Sequence, residues 1–558
     1  MTRREMLKLP ALLAPVLARG KDATSLPYFV DVAAKAGLTQ PIVYGGVDHK
    51  KFILETNGCG VAFYDYDHDG WMDILLPGGS RLDGPAPATS IRLYKNNRDG
   101  TFTEVTKKAG LERVAWVSGV CIGDYNNDGF DDLFLSCWGH NILYRNNGDG
   151  TFTDVTKKAG LLSDEPRWGA GCTFVDYNRN GFLDLFVSTY LNFDPKTTPL
   201  PGSNANCMWK GIAVNCGPRG LPTGRHVLYR NNGDGTFTDV SEASGIAKVD
   251  LRYGMTAVAA DFDDDGWPDI FVACDSTPSI LYRNQHDGTF KDTALESGVA
   301  YNEDGREQAG MGVGIGDVAN SGRLDIFKTH FAEDTPVLYR NKGGGMFEDV
   351  TVRASLGAFT RYVGWGAGLV DLDNDGLPDI FFVNGNVYPE LEHVLADYTY
   401  KNPRIVLRNA GRGLFEDISA QAGPAVTEPH SSRGCAFGDF DNDGDIDVLV
   451  MNMNEPPSLL RNDLKPGNRW LKLKLVGVKS NRTAIGASVV VTAGGRMQRQ
   501  DVVSQSSFYS HNDMRLHFGL GMMEQAETVE IRWPLGLKEV YRNVKANQIL
   551  TFKEGAAT

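Results

Sequence analysis

The residues in this chain best suited to chemistry are aspartates at fixed intervals. The stretch Asp371-Leu-Asp-Asn-Asp-Gly-Leu-Pro-Asp379 places carboxylates at positions one, three, five and nine (Asp371, Asp373, Asp375, Asp379), with Gly376 at position six. Alternate carboxylates on a tight loop converge on one hard cation. Ca2+ takes about six to eight oxygen ligands, and glycine permits the sharp turn that closes the backbone around it. The pattern recurs at Asp65/Asp67/Asp69/Asp73, Asp124/Asn126/Asp128/Asp132, Asp176/Asn178/Asn180/Asp184, Asp261/Asp263/Asp265/Asp269 and Asp439/Asp441/Asp443/Asp447. A degraded copy stands at Asp317/Ala319/Ser321/Asp325. Each copy keeps Gly at position six, and recurrence in phase is the mark of a repeat architecture. The all-carboxylate copies are expected to bind calcium best, and the Asn-bearing copies at 124 and 176 more weakly.

An EF-hand loop begins the same way but needs Glu at position twelve and flanking helices. Position twelve is here Leu76, Leu135, Val187, Val272, Lys328, Phe382 and Val450. The flanks, such as Asp-Leu-Phe-Val-Ser over 184–188, are short apolar runs that read as buried strands. The loops are therefore expected to join two β-strands.

Those strands belong to a larger unit. Gly169–Val175, the loop, and Leu183–Thr189 are followed by a third strand, His226–Asn231, a Gly-Asp-Gly turn and a fourth strand, Phe237–Val240. Leu-Tyr-Arg/Lys-Asn marks the third strand elsewhere, ending at Asn96, Asn146, Asn284 and Asn341, with Leu407-Arg-Asn409 as a shorter version. Four antiparallel strands per unit make the blade of a β-propeller. Seven loops predict seven blades over residues 27–465, with a period in the fifties stretched by insertions near 191–225 and 386–404. The seventh unit lacks a fourth strand, and Tyr28–Val32 is an orphan fourth strand, so the N-terminal strand is predicted to complete the last blade. From Asn468 the loops cease. Trp470–Leu475, Ser488–Thr492, Arg499–Val503, Glu527–Trp533 and Gln548–Phe552 predict a small β-sandwich-like domain over 466–554.

The 558 residues carry a formal net charge of −14, with much of the acid in the loops. This balance speaks for cations and against nucleic acid as a partner. Arg3-Arg4, an apolar run over Leu9–Ala18 and the small-residue site Val16-Leu-Ala18 resemble a twin-arginine export signal over 1–22; a frayed helix is the plainer alternative. The run is too short to span a bilayer, and no other segment is long and apolar enough. Of eight cysteines, Cys207 and Cys216 lie in a polar insertion and are the disulfide candidates for an oxidising compartment. The insertion reads equally as a stapled surface flap or as a functional element. Gly310–Gly316 alternates Gly with apolar residues, which suits a tightly packed inner strand rather than a phosphate loop.

With these motifs in hand, the chain resembles a known family. The loops look like the FG-GAP (VCBS-type) repeats also found in integrin α-subunits. Ser480-Asn-Arg482, Ala484-Ile-Gly-Ala487, His517-Phe-Gly-Leu-Gly521 and Ile531-Arg-Trp-Pro534 look like an ASPIC/UnbV domain. Together they resemble the cartilage acidic protein family and its bacterial relatives. The resemblance implies a secreted calcium-binding protein engaged in adhesion or matrix contact, without a settled reaction.

Strand directions crowd the loops after each second strand onto the face opposite the aspartates. That face collects His140, Tyr190, Asp194, Asp275, His330, Glu333, Asp334, Asn386, Glu390, His430 and Arg433, and both insertions start there. His330 with Glu333 and Asp334 offers an acid/base pair or a metal ligand set. Two functions are expected: an exported binding or adhesion module for a glycan, peptide or cell-surface protein, or an exported enzyme with its site at this mouth.

Overall fold

The computed structural model describes residues 26–556; the leader expected over 1–22 lies outside them. Each Asp loop joins two antiparallel strands, and two further strands complete a four-stranded unit. In the unit around Asp371 these are Gly364–Val370, Asp379–Asn384, Ile405–Asn409 and Phe415–Asp417. Seven units pair in this way among the described residues, and the second and third merge through Arg167 and Trp168 opposite Gly139 and Trp138. Phe29–Asp31 pairs antiparallel with Ser458–Asn462 and supplies the fourth strand of the unit around Asp439. The inner strands of successive units touch one another, and the first strand of the last unit touches that of the first, in a propeller-like ring. Cores lie between neighbouring units: Val258, Phe271 and Leu281 pack with Val313, Ile326 and Tyr339 of the next.

The asparagine that ends each third strand stitches this ring. Its backbone N–H donates to Oδ1 of the position-nine aspartate of its own loop, at 2.7–2.9 Å. Its side-chain Nδ2 donates to the position-two carbonyl of the preceding unit's loop, at 2.8–3.0 Å. All seven units do this, and Asn96 of the first reaches Phe440 of the seventh. Buried carbonyls need donors, and one amide here serves two loops.

The C-terminal segment forms a three-stranded and a four-stranded sheet that share one core, among them Leu471, Leu473, Val489, Phe518, Ile531 and Trp533. Two of its strands, Leu516–Gly521 and Lys538–Lys545, are additions to the five expected. Glycines interrupt the apolar alternation of the first, and the second is largely polar and solvent-facing, so neither carries the usual strand pattern. The expected strand over 499–503 runs instead over Arg496–Asp501, because the chain then turns away from the sheet. Among the described residues no helix is long and apolar enough to cross a membrane.

Candidate functional site

The Asp loops share one geometry. Position six is a glycine with φ between 78° and 97°, and position four, Asn, Asp, His or Arg, also lies at positive φ, 51–64°. The position-six N–H donates to Oδ2 of the first aspartate in all seven loops. This curl gathers carboxylates. Oxygens of Asp65, Asp67 and Asp73, of Asp261, Asp263 and Asp265, of Asp371, Asp373 and Asp379, and of Asp439, Asp441 and Asp447 lie within 4.8 Å of one another in each group. Burial, reinforced by the neighbouring carboxylates, pushes Asp73 up to about 8 and Asp441 to about 7. Burial likewise lifts Asp124 to about 7 and Asp176 to about 6.

The Asn-bearing loops hold fewer acids. Among the described residues, neither the loop at 124 nor the loop at 176 brings three acids together. The loop at 176 holds only two acids at its ligand positions, Asp176 and Asp184, and Asn126, Asn178 and Asn180, expected as metal ligands with Asp124, Asp128, Asp132, Asp176 and Asp184, would add amide oxygens rather than carboxylates. An amide carries a donor as well as an oxygen, so it can satisfy a neighbouring acid without a cation. Asn126 Nδ2 donates to Asp128 Oδ2 at 2.9 Å, and Asn126 Oδ1 accepts from the Asp128 N–H. Asp128 is exposed and its Oδ1 accepts from Phe130 N–H. Asn180 is exposed too, and its Oδ1 accepts from Phe182 N–H. Of Asn126, Asp128, Asn178 and Asn180, Asn178 alone keeps a buried Oδ1 with no hydrogen-bond partner. The position-five acids of the richer loops make the same turn: Asp69, Asp265, Asp375 and Asp443 each accept from the N–H two residues on. Asp69, Asp375 and Asp443 stand outside the groups of three, as does Asp269 in its loop. The degraded loop keeps only Asp317 and Asp325, and Ser321 donates to Asp317 through both its N–H and its hydroxyl.

The C-terminal domain covers this face. Lys472 Nζ donates to Asp439 Oδ2 at 2.6 Å with both side chains fully buried, and Arg532 pairs with Asp261 at 2.5 Å. Asn468 and Arg496 donate to the carbonyls of Asp373 and Asp375. His517 bonds Asn374 Oδ1 at 2.6 Å, Thr483 bonds Asp131, and Arg179 reaches the Pro534 carbonyl. Residues 504–512 then enter the middle of the ring. Ser507 exchanges two backbone hydrogen bonds with Val313, Val120 N–H donates to the Tyr509 carbonyl, and His511 pairs with Val61 and Phe63. Gln505, Ser507 and Asn512 side chains accept from Cys172, Ala367 and Phe437 N–H groups. The segment thus satisfies donors that the innermost strands would otherwise leave unpaired. Gly60 is required at its closest approach, since a Cβ there would sit 1.8 Å from the Tyr509 carbonyl oxygen.

At the opposite mouth a cavity of about 390 Å³ lies between the ring and the 191–225 insertion. Cys207 and Cys216 are disulfide-bonded, and the insertion carries a short hairpin, Met208–Trp209 with Ile212–Ala213. The remaining six cysteines are buried and free. Tyr190 and Asp275 line the cavity with Trp209, Trp365, Tyr388 and Asn57. Tyr190 OH donates to Asp275 Oδ2 at 2.6 Å and Ser276 OH to Oδ1 at 2.9 Å. Burial pushes the Asp275 carboxyl up. The plug backs this cavity, because Phe508 packs edge-on against Trp365 at 4.9 Å.

The other expected residues of this face lie elsewhere. His330 is buried, and burial drives its imidazole well below the usual range. Glu333 accepts from Tyr398 OH and pairs with Lys210, while Asp334 accepts from Gln308. No hydrogen bond or ion pair joins the three among the described residues, so they do not form the acid/base set the spacing suggested. Glu333 and Asp334 have separate partners, and among the described residues neither ring nitrogen of His330 has one. Arg433 is buried over Trp365 and donates to the carbonyls of Thr56 and Asn386. Asn386 also caps Val387 N–H. Glu390 pairs with His49 and His430 with Glu455. His140 bonds Ser163, and Asp194 caps the turn at Lys196. These are fastenings of the mouth rather than lining. Trp209 belongs to the insertion read as a flap or functional element, whereas Asn57 and Trp365 give no signal in sequence, since single residues outside a repeated motif have no spacing to read.

A closed series of four-stranded units with Asp-lined hairpin loops defines a repeat protein of the all-β, propeller-like class. The FG-GAP-like repeat pattern matches at residues 83–135, 124–187, 220–272, 261–328, 317–382 and 391–450, and the ASPIC and UnbV pattern at 477–558. The chain belongs to the FG-GAP-like repeat family and carries a C-terminal ASPIC and UnbV domain. It is 25% identical over 518 residues to cartilage acidic protein 1 of Homo sapiens, covering 88% of this chain and 70% of the relative. To the Mus musculus protein of that name it is 24% identical, covering 98% and 80%. Among solved structures it is similar to an Agrocybe aegerita lectin that recognises non-reducing terminal N-acetylglucosamine. That match has a TM-score of 0.38 and 15% identity, and covers 78% of this chain and 96% of the lectin.

Proposed function

We propose that this chain is an exported, calcium-holding binding module. In this reading residues 27–465 form a ring of seven blades and 466–554 its cap, and a glycan, peptide or cell-surface protein binds at the mouth opposite the loops. The observation that carries the reading is the mouth cavity, roofed by the disulfide-stapled insertion and lined by aromatic rings around the Tyr190–Asp275 pair. Its volume falls in the range of about 300–1,000 Å³ usual for small-molecule sites. The disulfide also suits an oxidising compartment. The four all-carboxylate loops fit calcium on their own chemistry. Their ligands are hard oxygens, and Asp67 Oδ1 and Asp441 Oδ1 are buried without a hydrogen-bond partner. Calcium would supply the charge that stabilises these crowded carboxylates.

A thermal-shift screen of the full chain against soluble polysaccharides and peptides tests the site. A ligand that raises the melting midpoint should lose its effect in Trp209→Ala and keep it in Lys479→Ala, on the capped face. The reverse pattern places the site on the other side. The buried Asp275 carboxylate, which accepts from the Tyr190 and Ser276 hydroxyls, favours one second reading, an enzyme with Asp275 as general base. Recovery of altered rather than intact ligand would select it.

A further inference from the structure

The cavity's lining is specific about ligand chemistry. Asn57 is only 3% exposed, lines the cavity, and its Nδ2 has no hydrogen-bond partner. A buried amide donor with no protein partner needs an acceptor, here one that can enter the cavity. Both oxygens of Asp275 already accept hydroxyls, from Tyr190 and Ser276. Arg219, the cation of the lining, is paired with Glu307. Among the described residues, the buried part of the cavity thus holds no ammonium or guanidinium for an anion, Arg219 being solvent-exposed, and its one carboxylate is already engaged by two neutral hydroxyls. It offers an unpaired amide and hydroxyl-binding carboxyl oxygens beside the faces of Trp209, Trp365 and Tyr388. Aromatic walls with a few placed polar groups suit a ligand with one apolar C–H face and a rim of hydroxyls.

Resting on the mouth-cavity reading, we propose that the cavity binds a neutral pyranose, a single sugar residue of a glycan. One ring face stacks on the aromatic wall, a hydroxyl or acetamido oxygen accepts from Asn57 Nδ2, and a sugar hydroxyl donates to an Asp275 oxygen. The insertion that roofs the cavity is fastened at its C-terminal end: Thr223 OH donates to the Tyr190 carbonyl and Tyr253 OH to that of Leu221.

The test is a tryptophan-fluorescence and calorimetric titration of the full chain. The probes are the methyl glycosides of glucose, galactose, mannose and N-acetylglucosamine, with tetramethylammonium and inorganic phosphate alongside. At least one glycoside should saturate, and Asn57→Ala should weaken it about tenfold, the loss of roughly one hydrogen bond. Trp209→Ala, on the partly exposed hairpin, should weaken the same glycoside while the circular dichroism spectrum stays that of the parent chain, which guards against misfolding of the buried Asn57 variant. Saturation by tetramethylammonium or phosphate alone, lost in Asn57→Ala, overturns the sugar assignment and leaves the mouth as the site. Glycoside binding that survives both substitutions overturns the mouth itself, and no saturation by any glycoside overturns the inference.

Discussion

Asn231 bonds three ways at once. Its N–H donates to Asp184 of its own loop, and its Nδ2 donates to the Leu183 carbonyl and to the Tyr125 carbonyl of the preceding loop. Asn231→Ala leaves both carbonyls buried without that donor, at about 1–3 kcal/mol per unpaired group. A lowered denaturant midpoint with an unchanged circular dichroism spectrum is the expected result; an unchanged midpoint would show that the stitch carries no energy. The same scale gives a pH dependence. Asp73, Asp124, Asp176 and Asp441 have folded values near 8, 7, 6 and 7, above an unfolded value of about 3.9. The folded metal-free state therefore binds more protons than the unfolded one. The stability from these groups is full below about pH 4 and is lost as pH rises through 6–8. Calcium binds the ionised form, so the gap between melting midpoints in calcium and in chelator should widen from pH 5 to pH 8. A gap that narrows over this range contradicts the assignment. The loops were legible because their aspartates recur at fixed spacing. What spacing did not reveal is that Asn126 turns its amide onto Asp128, or that the position-five side chain folds back on the N–H two residues on. The stitching asparagines recur as strictly as the aspartates, yet their role is invisible in sequence because their partners are backbone carbonyls of another unit.

Among the elements, Phe29–Asp31 bridges the two ends of the ring. Phe29 and Arg461 lie in adjacent strands, and Val32 N–H donates to Leu459. Deleting residues 26–38 exposes the edge of Ser458–Asn462, an unpaired row of N–H and C=O groups that recruits other chains. Size-exclusion chromatography should show aggregation, or limited proteolysis a new cut near 458–462; a monomer that melts like the parent would refute the closure. This strand was readable because Tyr28–Val32 repeats the fourth-strand pattern of the other units. The plug at 504–512 was not. Its Ser-Gln-Ser-Ser run has the composition of a solvent loop, and only the inner strands' unmet N–H groups explain why it is buried. The mouth divides in the same way. Tyr190 and Asp275 follow from strand direction, whereas His330, just past the end of its strand, is buried.

Over the whole molecule, the C-terminal domain spans both faces. Lys472 and Arg532 hold loop carboxylates, and Phe508 stands behind Trp365 in the cavity wall. This arrangement gives the loops and the mouth one shared body. The acidic balance of −14 is placed accordingly, in loops that cluster carboxylates beneath a partly basic cap. Binding of a cation to the folded state alone raises stability by mass action. The most direct test of the account is therefore metal content and melting of the chain expressed without residues 1–22. After dialysis against calcium and then metal-free buffer, emission spectroscopy should find calcium in the protein, filling first the four groups at 65, 261, 371 and 439. Chelator should lower the melting midpoint, and magnesium should restore it less well, because it demands a smaller octahedral shell. A chain that retains no calcium and melts identically in chelator would contradict the account.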